Sequence, residues 1–329
     1  MAGDSQAHSD ALSSRPRWLA YLQLMRLPNV FTALADTFMG YWMVLSGSHP
    51  SVALGLALLA TACLYTAGMV LNDLFDLEQD RRERPFRPLP SGRVPIRHAQ
   101  WLGWTLLVIG WLAGVSIGWV SEAESRRYVP ALLASVLAGM IVAYDAWAKP
   151  TFLGPWLMGA CRSGNILLAM GAAWCSSSDS IRFATIEQST IAGAIGVYVV
   201  GITYFARTEA ERSHRATLLG GLCCMASGWL LLAAMPVSFQ AHRRLSGAAL
   251  VCWYVLIVAA AAPLVRRLIL AWEEPSPPRV QHAVRLAIWS LLWWDTALLL
   301  LYPANRWAAL LVLFLYLPMR WLGRRVYAT

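Results

Sequence analysis

Residues 72–94, NDLFDLEQDRRERPFRPLPSGRV, form a strongly charged segment between two long apolar runs. The segment contains three Asp, two Glu and five Arg, whereas the whole chain is 58% hydrophobic and only 14% charged. Soluble domains usually carry about 25% charged residues. A chain this apolar needs a physical reason to concentrate its charge at one place.

Apolar windows long enough to cross a hydrocarbon layer of about 30 Å recur on both sides of this segment. Nine windows and a shorter tenth occur at 28–46, 51–71, 98–120, 129–146, 152–174, 186–206, 216–235, 247–270, 283–302 and 306–321. They lack the alternating polar positions of barrel strands, so we predict helices, which satisfy their own backbone hydrogen bonds in lipid. The sequence therefore predicts an all-α membrane protein, a single bundle of nine or ten transmembrane helices around a central cavity.

The distribution of charge predicts the orientation and the domain plan. We expect residues 1–14, which are small and polar, to be a disordered tail and residues 15–329 to form one transmembrane domain. Most basic residues fall in loops that are cytoplasmic if the N-terminus is cytoplasmic, which favours an inner-membrane protein with residues 72–94 inside. The net charge of +9 needs no nucleic-acid partner, because positive-inside loops and anionic lipids explain it.

Three aspartates follow Asn72 with helical spacing. At 3.6 residues per turn, Asp73, Asp76 and Asp80 point to about 0°, 300° and 340° around the axis, so their carboxylates share one face. Such carboxylates repel one another and need a positive partner. One alternative is a solvated, salt-bridged helix end neutralised by Arg81, Arg82 and Arg84. The other is Mg²⁺, which prefers oxygen ligands and completes its shell with substrate phosphate. The pattern therefore suggests a diphosphate site in which Arg84, Arg87 and Arg93 donate to phosphate.

Polar residues within the apolar windows are further candidates. Lys149 is the only lysine in the chain. It is either a lysine that remains by chance where base composition favours Arg over Lys, or a cation that binds diphosphate beside Tyr144. Arg162 and Asn165 lie one turn apart, and an intramembrane Arg costs at least about 2.5 kcal/mol unless it faces an interior partner. That partner is either Asp36 or Asp145, or else the diphosphate. Asp36 and Asp295 also require internal partners.

The motif Asn72-Asp73-x-x-Asp76-x-x-x-Asp80, followed by ERPFRPLPSG at 83–92, resembles the signature of the UbiA superfamily of intramembrane prenyltransferases. RLPNV at 26–30 is similar to the entry of the family's first helix. The resemblance covers essentially the whole chain and implies a bundle with active-site loops on the cytoplasmic side. It implies Mg²⁺-dependent ionisation of an allylic prenyl diphosphate and transfer of the prenyl group to a small acceptor, aromatic or polar.

The resemblance also implies roles for individual residues. We expect catalytic roles for Asp73, Asp76, Asp80, Lys149 and Arg162. The expected diphosphate-binding residues are Arg26, Asn72, Arg84, Arg87, Tyr144, Asn165 and Arg207. The expected Mg²⁺ ligands are Asn72, Asp73, Asp76, Asp80, Glu209 and Glu211.

Two segments depart from the family pattern. The loop at 203–215, TYFARTEAERSHR, has no aspartate where relatives carry a second acidic motif, and Glu209 and Glu211 are only two residues apart. In YDAWAKP, 144–150, the spacing from Tyr144 to Lys149 is one residue longer than the family form. Together with GACRSGN, 159–165, these segments resemble the EboC-type subgroup.

Two other functions remain open at this point. A transporter or carrier of a prenylated or other lipid-like metabolite would have the same helical bundle but would not catalyse prenyl transfer. Transporters often contain repeated halves with helices broken by Gly or Pro, and such a pair is not evident in the sequence. A catalytically inactive scaffold would have no need for three repelling carboxylates. The expected partners are a prenyl diphosphate, a small acceptor and the lipid bilayer, and the sequence identifies no protein partner.

Overall fold

The computed structural model describes residues 16–45, 50–121, 124–177, 183–207, 213–238, 247–301 and 306–326. Every regular element in these ranges is helical, which confirms the predicted all-α class. The N-terminal tail predicted at 1–14 lies outside the described residues.

The α-helices are numbered in the order in which they occur along the chain. They are α1 Arg17–Leu24, α2 Leu27–Val44, α3 Val52–Phe75, α4 Leu77–Glu83, α5 Ile96–Ser116, α6 Tyr128–Ala143, α7 Leu153–Cys175, α8 Ile186–Ala206, α9 Arg215–Ser238, α10 Gly247–Glu273, α11 Pro277–Leu300, α12 Arg306–Phe314 and α13 Tyr316–Val326. Short 3₁₀ turns at Ile117–Val120 and Glu124–Arg126 and a π-helical turn at Tyr144–Ala148 complete the set.

Each of the nine long apolar windows contains a helix. Within the described residues, seven helices are long and apolar enough to cross a membrane, namely those in the α3, α5, α6, α8, α9, α10 and α11 segments. The other two long helices, α2 and α7, carry Asp36 and Arg162 in their middles. The shorter tenth window is broken at Leu315 into α12 and α13. Because α12 has nine residues and a helix rises only about 1.5 Å per residue, it is too short to span alone.

Hydrogen bonds at the helix ends show which termini meet. At one end of the bundle, Ser51 caps α3, accepts a hydrogen bond from the Tyr41 hydroxyl at 2.7 Å and lies 3.0 Å from the Ser176 hydroxyl after α7. At the opposite end, α3 runs into α4, and the π-helical turn leads into α7. Arg207, after α8, donates to the carbonyl oxygen of Pro150 at this same end. We call this second end, formed by residues 72–95, 144–153 and 204–207, the charged end.

Glycines allow the central helices to approach closely. A Cβ atom on Gly159 of α7 would lie 2.5 Å from the carbonyl oxygen of Gly196 in α8. A Cβ atom on Gly201 of α8 would lie 2.5 Å from the backbone nitrogen of Met225 and 2.6 Å from the carbonyl oxygen of Gly221 in α9. Small residues commonly permit this backbone contact between helices in membranes. The contact fixes α8 between α7 and α9.

We expect Gly201→Ala to destabilise the protein, because the added methyl group meets backbone atoms that cannot rotate away. Overpacking of this kind costs about 1–3 kcal/mol. The matched control is Gly193→Ala in the same helix, where a Cβ atom would meet nothing within 4 Å. Thermal unfolding in detergent should show a lower midpoint for Gly201→Ala alone, and equal midpoints for the two variants would contradict this packing.

Candidate active site

The three aspartates of the opening segment lie at the charged end, where Asp73 and Asp80 are buried and Asp76 is partly buried. Asp73 lies in the last turn of α3, and Asp80 lies in α4; they are only 5% and 3% exposed. Asp76 joins the two helices with near-helical backbone angles, and the amide of Asp80 donates to its carbonyl oxygen at 2.8 Å. The helical register is therefore nearly continuous, and the carboxylates do not turn toward bulk solvent.

Each carboxylate is paired with a cation from another part of the chain. Arg26 Nη2 lies 3.2 Å from Asp73 Oδ1. Arg87 Nη1 lies 2.6 Å from Asp80 Oδ2 and 3.5 Å from Asp73 Oδ1. Lys149 forms an ion pair with Asp76. Three acids and three cations therefore form one partly buried network, which we call the acid–base cluster.

The neighbouring arginines of α4 do not take this role. Arg81 instead pairs with Glu78 at 2.5 Å on the exposed face, and Arg82 is exposed. Arg84 is half-buried in the loop that follows. One predicted alternative was a helix end in which adjacent arginines neutralise the aspartates. Arg81 does not do so, because it pairs with Glu78.

Local backbone features bring Arg26 and Arg87 to the cluster. Arg26 separates α1 from α2 in a left-handed conformation, with φ 44° and ψ 42°, which is uncommon for a residue with a side chain. The loop carrying Arg87 is anchored by Leu89 and Val94, which pack with residues of α1, α3 and α5. Arg93 ties this loop to α1 through the Gln23 side chain at 2.9 Å.

A π-helical turn positions Lys149. The amide of Lys149 donates to the carbonyl oxygen of Tyr144 at 3.0 Å, a five-residue step where an α-helix makes a four-residue step. This turn absorbs the extra residue between Tyr144 and Lys149 noted in the sequence. Lys149 Nζ donates to Asn72 Oδ1 at 3.2 Å, and Asn72 Nδ2 donates to Asp145 Oδ1 at 2.9 Å. Sequence reasoning did not include Asp145 as a site residue, although the longer spacing was a signal for it.

The second loop reaches the site through Arg207. Its guanidinium donates to the carbonyl oxygens of Pro150 and Thr151 at 2.6 and 3.2 Å. Arg207 therefore holds the turn that carries Lys149. Glu209 and Glu211, the other predicted residues of this loop, lie outside the described residues.

Arg162 and Asn165, which were predicted to bind diphosphate, do not contact the acid–base cluster in the structure. Arg162 forms an ion pair with Asp36 and donates to the carbonyl oxygen of Thr32 at 2.8 Å. Asn165 accepts from the Thr61 hydroxyl at 2.7 Å and donates to the carbonyl oxygen of Ala33. Both side chains therefore join α7 to its neighbours, because a cation within the bundle requires a buried partner.

The oxygen donors of the cluster match a divalent cation in type. Among the described residues, no group of three His, Cys, Asp or Glu side chains is placed to hold one ion, because the carboxylates are turned toward Arg26, Arg87 and Lys149. Their chemistry, however, is the carboxylate and amide oxygen set that Mg²⁺ prefers. Asp145 Oδ2, beside Asn72, is buried without a hydrogen-bond partner. The residues therefore fit Mg²⁺ by donor type and by this unsatisfied oxygen.

Burial makes the negative charge of the cluster costly. Desolvation raises the pKa of the Asp80 carboxyl above its ordinary value, although the Arg87 guanidinium acts in the opposite direction. The nearby charges of Asp73 and Asp76 raise this pKa further. Additional positive charge would therefore stabilise the ionised form.

The fold and this cluster define a helical membrane protein with paired acids and cations at one end of its bundle. The UbiA prenyltransferase family model matches residues 33–291. The chain therefore belongs to the UbiA prenyltransferase family.

Solved structures agree with the fold. A UbiA homolog from Aeropyrum pernix aligns with a TM-score of 0.60 and 18% identity, covering 82% of this chain and 96% of that one. A UbiA homolog from Archaeoglobus fulgidus, solved with GPP and Mg²⁺, aligns with a TM-score of 0.55 and 14% identity over 85% of this chain and 99% of that one. At these identities the likeness concerns the fold alone.

Curated relatives match over shorter stretches. The digeranylgeranylglyceryl phosphate synthase of Sulfurisphaera tokodaii is 36% identical over 91 residues, which are 28% of this chain and 33% of that protein. The synthase of Ignicoccus hospitalis is 34% identical over 99 residues, 30% and 32% of the two chains. The matches span about a third of these relatives' length.

We expect Arg162→Ala to destabilise the fold strongly, because it leaves Asp36 buried without its cation. Breaking a buried ion pair in this way costs about 3–5 kcal/mol. Arg320→Ala, at an exposed position of α13, is the control and should leave the thermal midpoint unchanged. If Arg162→Ala unfolds at the same temperature as the wild type, the Arg162–Asp36 ion pair does not stabilise the bundle.

Proposed function

We propose that this protein is a Mg²⁺-dependent prenyltransferase that moves a prenyl group from an allylic prenyl diphosphate to a small aromatic or polar acceptor within the membrane. The acid–base cluster carries the proposal, because three carboxylates, two of them buried, pair with three cations at one end of an apolar bundle. Membership of the family supports it. Relatives of the same fold that were solved with GPP or DMAPP and Mg²⁺ support the substrate class.

Asn72, Asp73, Asp76 and Asp80 are the residues that would hold Mg²⁺. When bound, the ion supplies positive charge that stabilises the departing diphosphate. Asp73 and Asp80 lie on rigid helical backbone, and Asn72 is held from both sides by Asp145 and Lys149. This arrangement prepares the oxygen donors before substrate arrives.

Arg26, Arg87 and Lys149 would bind the diphosphate oxygens. In the free protein these cations are neutralised by the aspartates, which limits the cost of burying charge. On binding, each cation exchanges a carboxylate oxygen for a phosphate oxygen, and arginine can make two parallel hydrogen bonds to phosphate. The half-buried Arg84 and the buried Tyr144 are neighbouring candidates for further donors.

The reaction breaks the bond between the first prenyl carbon and the bridging diphosphate oxygen. The electron pair leaves with the diphosphate, and the allylic cation is attacked by a nucleophilic atom of the acceptor, which then loses a proton. The apolar side chains of the bundle exclude water, which would otherwise capture the cation. Cations fixed around the leaving group stabilise its developing charge without reorganisation.

The remaining assignments are also proposals. Residues 15–329 form one domain of the cytoplasmic membrane, with the charged end in the cytoplasm. Arg207 supports the turn of Lys149, and Glu209 and Glu211 are further candidates for Mg²⁺. The relatives named for digeranylgeranylglyceryl phosphate make a phosphorylated glycerol lipid one candidate among polar acceptors. Membership of the EboC-type subgroup stays a prediction.

The reaction is tested by incubating purified protein with Mg²⁺, radiolabelled allylic diphosphates of several chain lengths and a panel of small aromatic and polar acceptors. We expect metal-dependent diphosphate release, and Asp76→Ala should lower its rate at least about 100-fold because a leaving-group stabiliser is lost. Glu78→Ala removes an exposed acid of the same segment and should retain full activity. Binding of prenyl diphosphates without release by the wild type would instead indicate a carrier.

The orientation is tested with a membrane-impermeant thiol reagent on inside-out and right-side-out vesicles. Ser91→Cys, at an exposed position of the charged end, should react only from the cytoplasmic side. Ile186→Cys, which is 80% exposed at the start of α8, lies at the opposite end and should react only from the other side. The reverse pattern would overturn the proposed topology.

A further inference from the structure

The π-helical turn places one additional buried acid beside the acid–base cluster. Asp145 is 7% exposed, whereas Trp147 in the same turn is 55% exposed. Because a π-helical turn contains one more residue than the equivalent α-helical step, it lets Asp145 face α3 while Lys149 also reaches α3. Turns of this kind occur frequently at functional sites.

The hydrogen bonds around Asn72 have only one consistent direction. A carboxylate only accepts hydrogen bonds and an ammonium group only donates them. Asp145 Oδ1 must therefore face the amide nitrogen of Asn72, at 2.9 Å, and Lys149 Nζ must face its oxygen, at 3.2 Å. Lys149 also pairs with Asp76. The chain of contacts thus runs from Asp145 through Asn72 and Lys149 to Asp76.

We propose that Asp145 is a positioning residue that fixes the Asn72 amide, so that Asn72 Oδ1 and Lys149 are held toward the diphosphate site. This inference rests on the proposed function. Without the acceptor at position 145, the Asn72 amide loses one of the two contacts that orient it, so a rotation by 180° that presents its nitrogen to Lys149 becomes less costly. Two donors would then face each other, and Lys149 would lose one of its two anchors.

The unsatisfied oxygen of Asp145 favours a role in the site over a role in folding. Asp145 Oδ2 is buried without a hydrogen-bond partner, and a buried polar atom of this kind costs stability. A residue needed only for packing would not require a carboxylate here. One oxygen accepts from Asn72, a proposed Mg²⁺ ligand, and the other has no hydrogen-bond partner.

The test measures binding, so that it does not depend on turnover. The probe is geranyl thiolodiphosphate with Mg²⁺, in which sulfur replaces the bridging oxygen and slows ionisation. We expect Asp145→Leu to weaken binding about 10-fold, because one hydrogen bond to a charged group is lost. Asp145→Asn keeps an acceptor oxygen for Asn72 and should bind within about 3-fold of the wild type. Trp147→Ala, in the same turn, is the matched control and should bind like the wild type.

A double-mutant cycle separates positioning from a structural role. If Asp145 acts through Asn72, adding Asp145→Leu to Asn72→Ala should weaken binding no further, because both changes remove one interaction. Additive losses, or wild-type binding by Asp145→Leu, would overturn the proposal. So would an Asp145→Asn variant as weak as Asp145→Leu, because charge rather than orientation would then matter. If Asp145→Leu does not fold, Asp145→Ala replaces it throughout.

The outcomes also distinguish this inference from the proposed function. If the wild type binds the probe but releases no diphosphate from geranyl diphosphate in the presence of the acceptors, the proposed reaction is wrong, whereas the double-mutant binding cycle still tests the role of Asp145. If the wild type does not bind the probe, the proposed function fails and the inference fails with it.

Discussion

The pairing of buried opposite charges is the constraint on which this structure depends. Carboxylates taken out of water are stable only with compensating partners, and the chain supplies Arg26, Arg87 and Lys149 from three separate segments. Two of these pairs form where the loop at 84–95 folds back and where α6 gives way to α7. It also explains why an apolar chain concentrates its charge at 72–94.

Buried opposite charges are also paired deeper in the bundle, where they connect helices. Arg162 and Asp36 form an ion pair between α7 and α2, and Asp295 of α11 is also fully buried. The Arg162–Asp36 pair joins two helices and is almost completely buried. The protein thus uses one kind of interaction in two places: at the charged end it joins the residues of the proposed binding site, and in the interior it fixes helix packing.

The sequence predicted the helices well, because apolar windows of membrane length have few structural alternatives in lipid. It also predicted that Asp73, Asp76 and Asp80 share one face, since helical spacing determines that geometry. The choice of partners could not be predicted in the same way. Arg81 lies closer in sequence to the aspartates than Arg26 does, yet it pairs with Glu78, because only the fold decides which cation is buried beside them. The one extra residue before Lys149 was visible in the sequence, but its consequence, the π-helical turn that brings Asp145 to Asn72, depends on the hydrogen bonds of the folded chain.

The central claim is that the cations of the cluster are held by aspartates until a metal ion and a diphosphate replace those contacts. Calorimetric titration of the purified protein with inorganic pyrophosphate, with and without Mg²⁺, tests it most directly. The account predicts much tighter binding of pyrophosphate with Mg²⁺, because the aspartates otherwise neutralise Arg26, Arg87 and Lys149. Equally tight binding in the absence of divalent cations would contradict it.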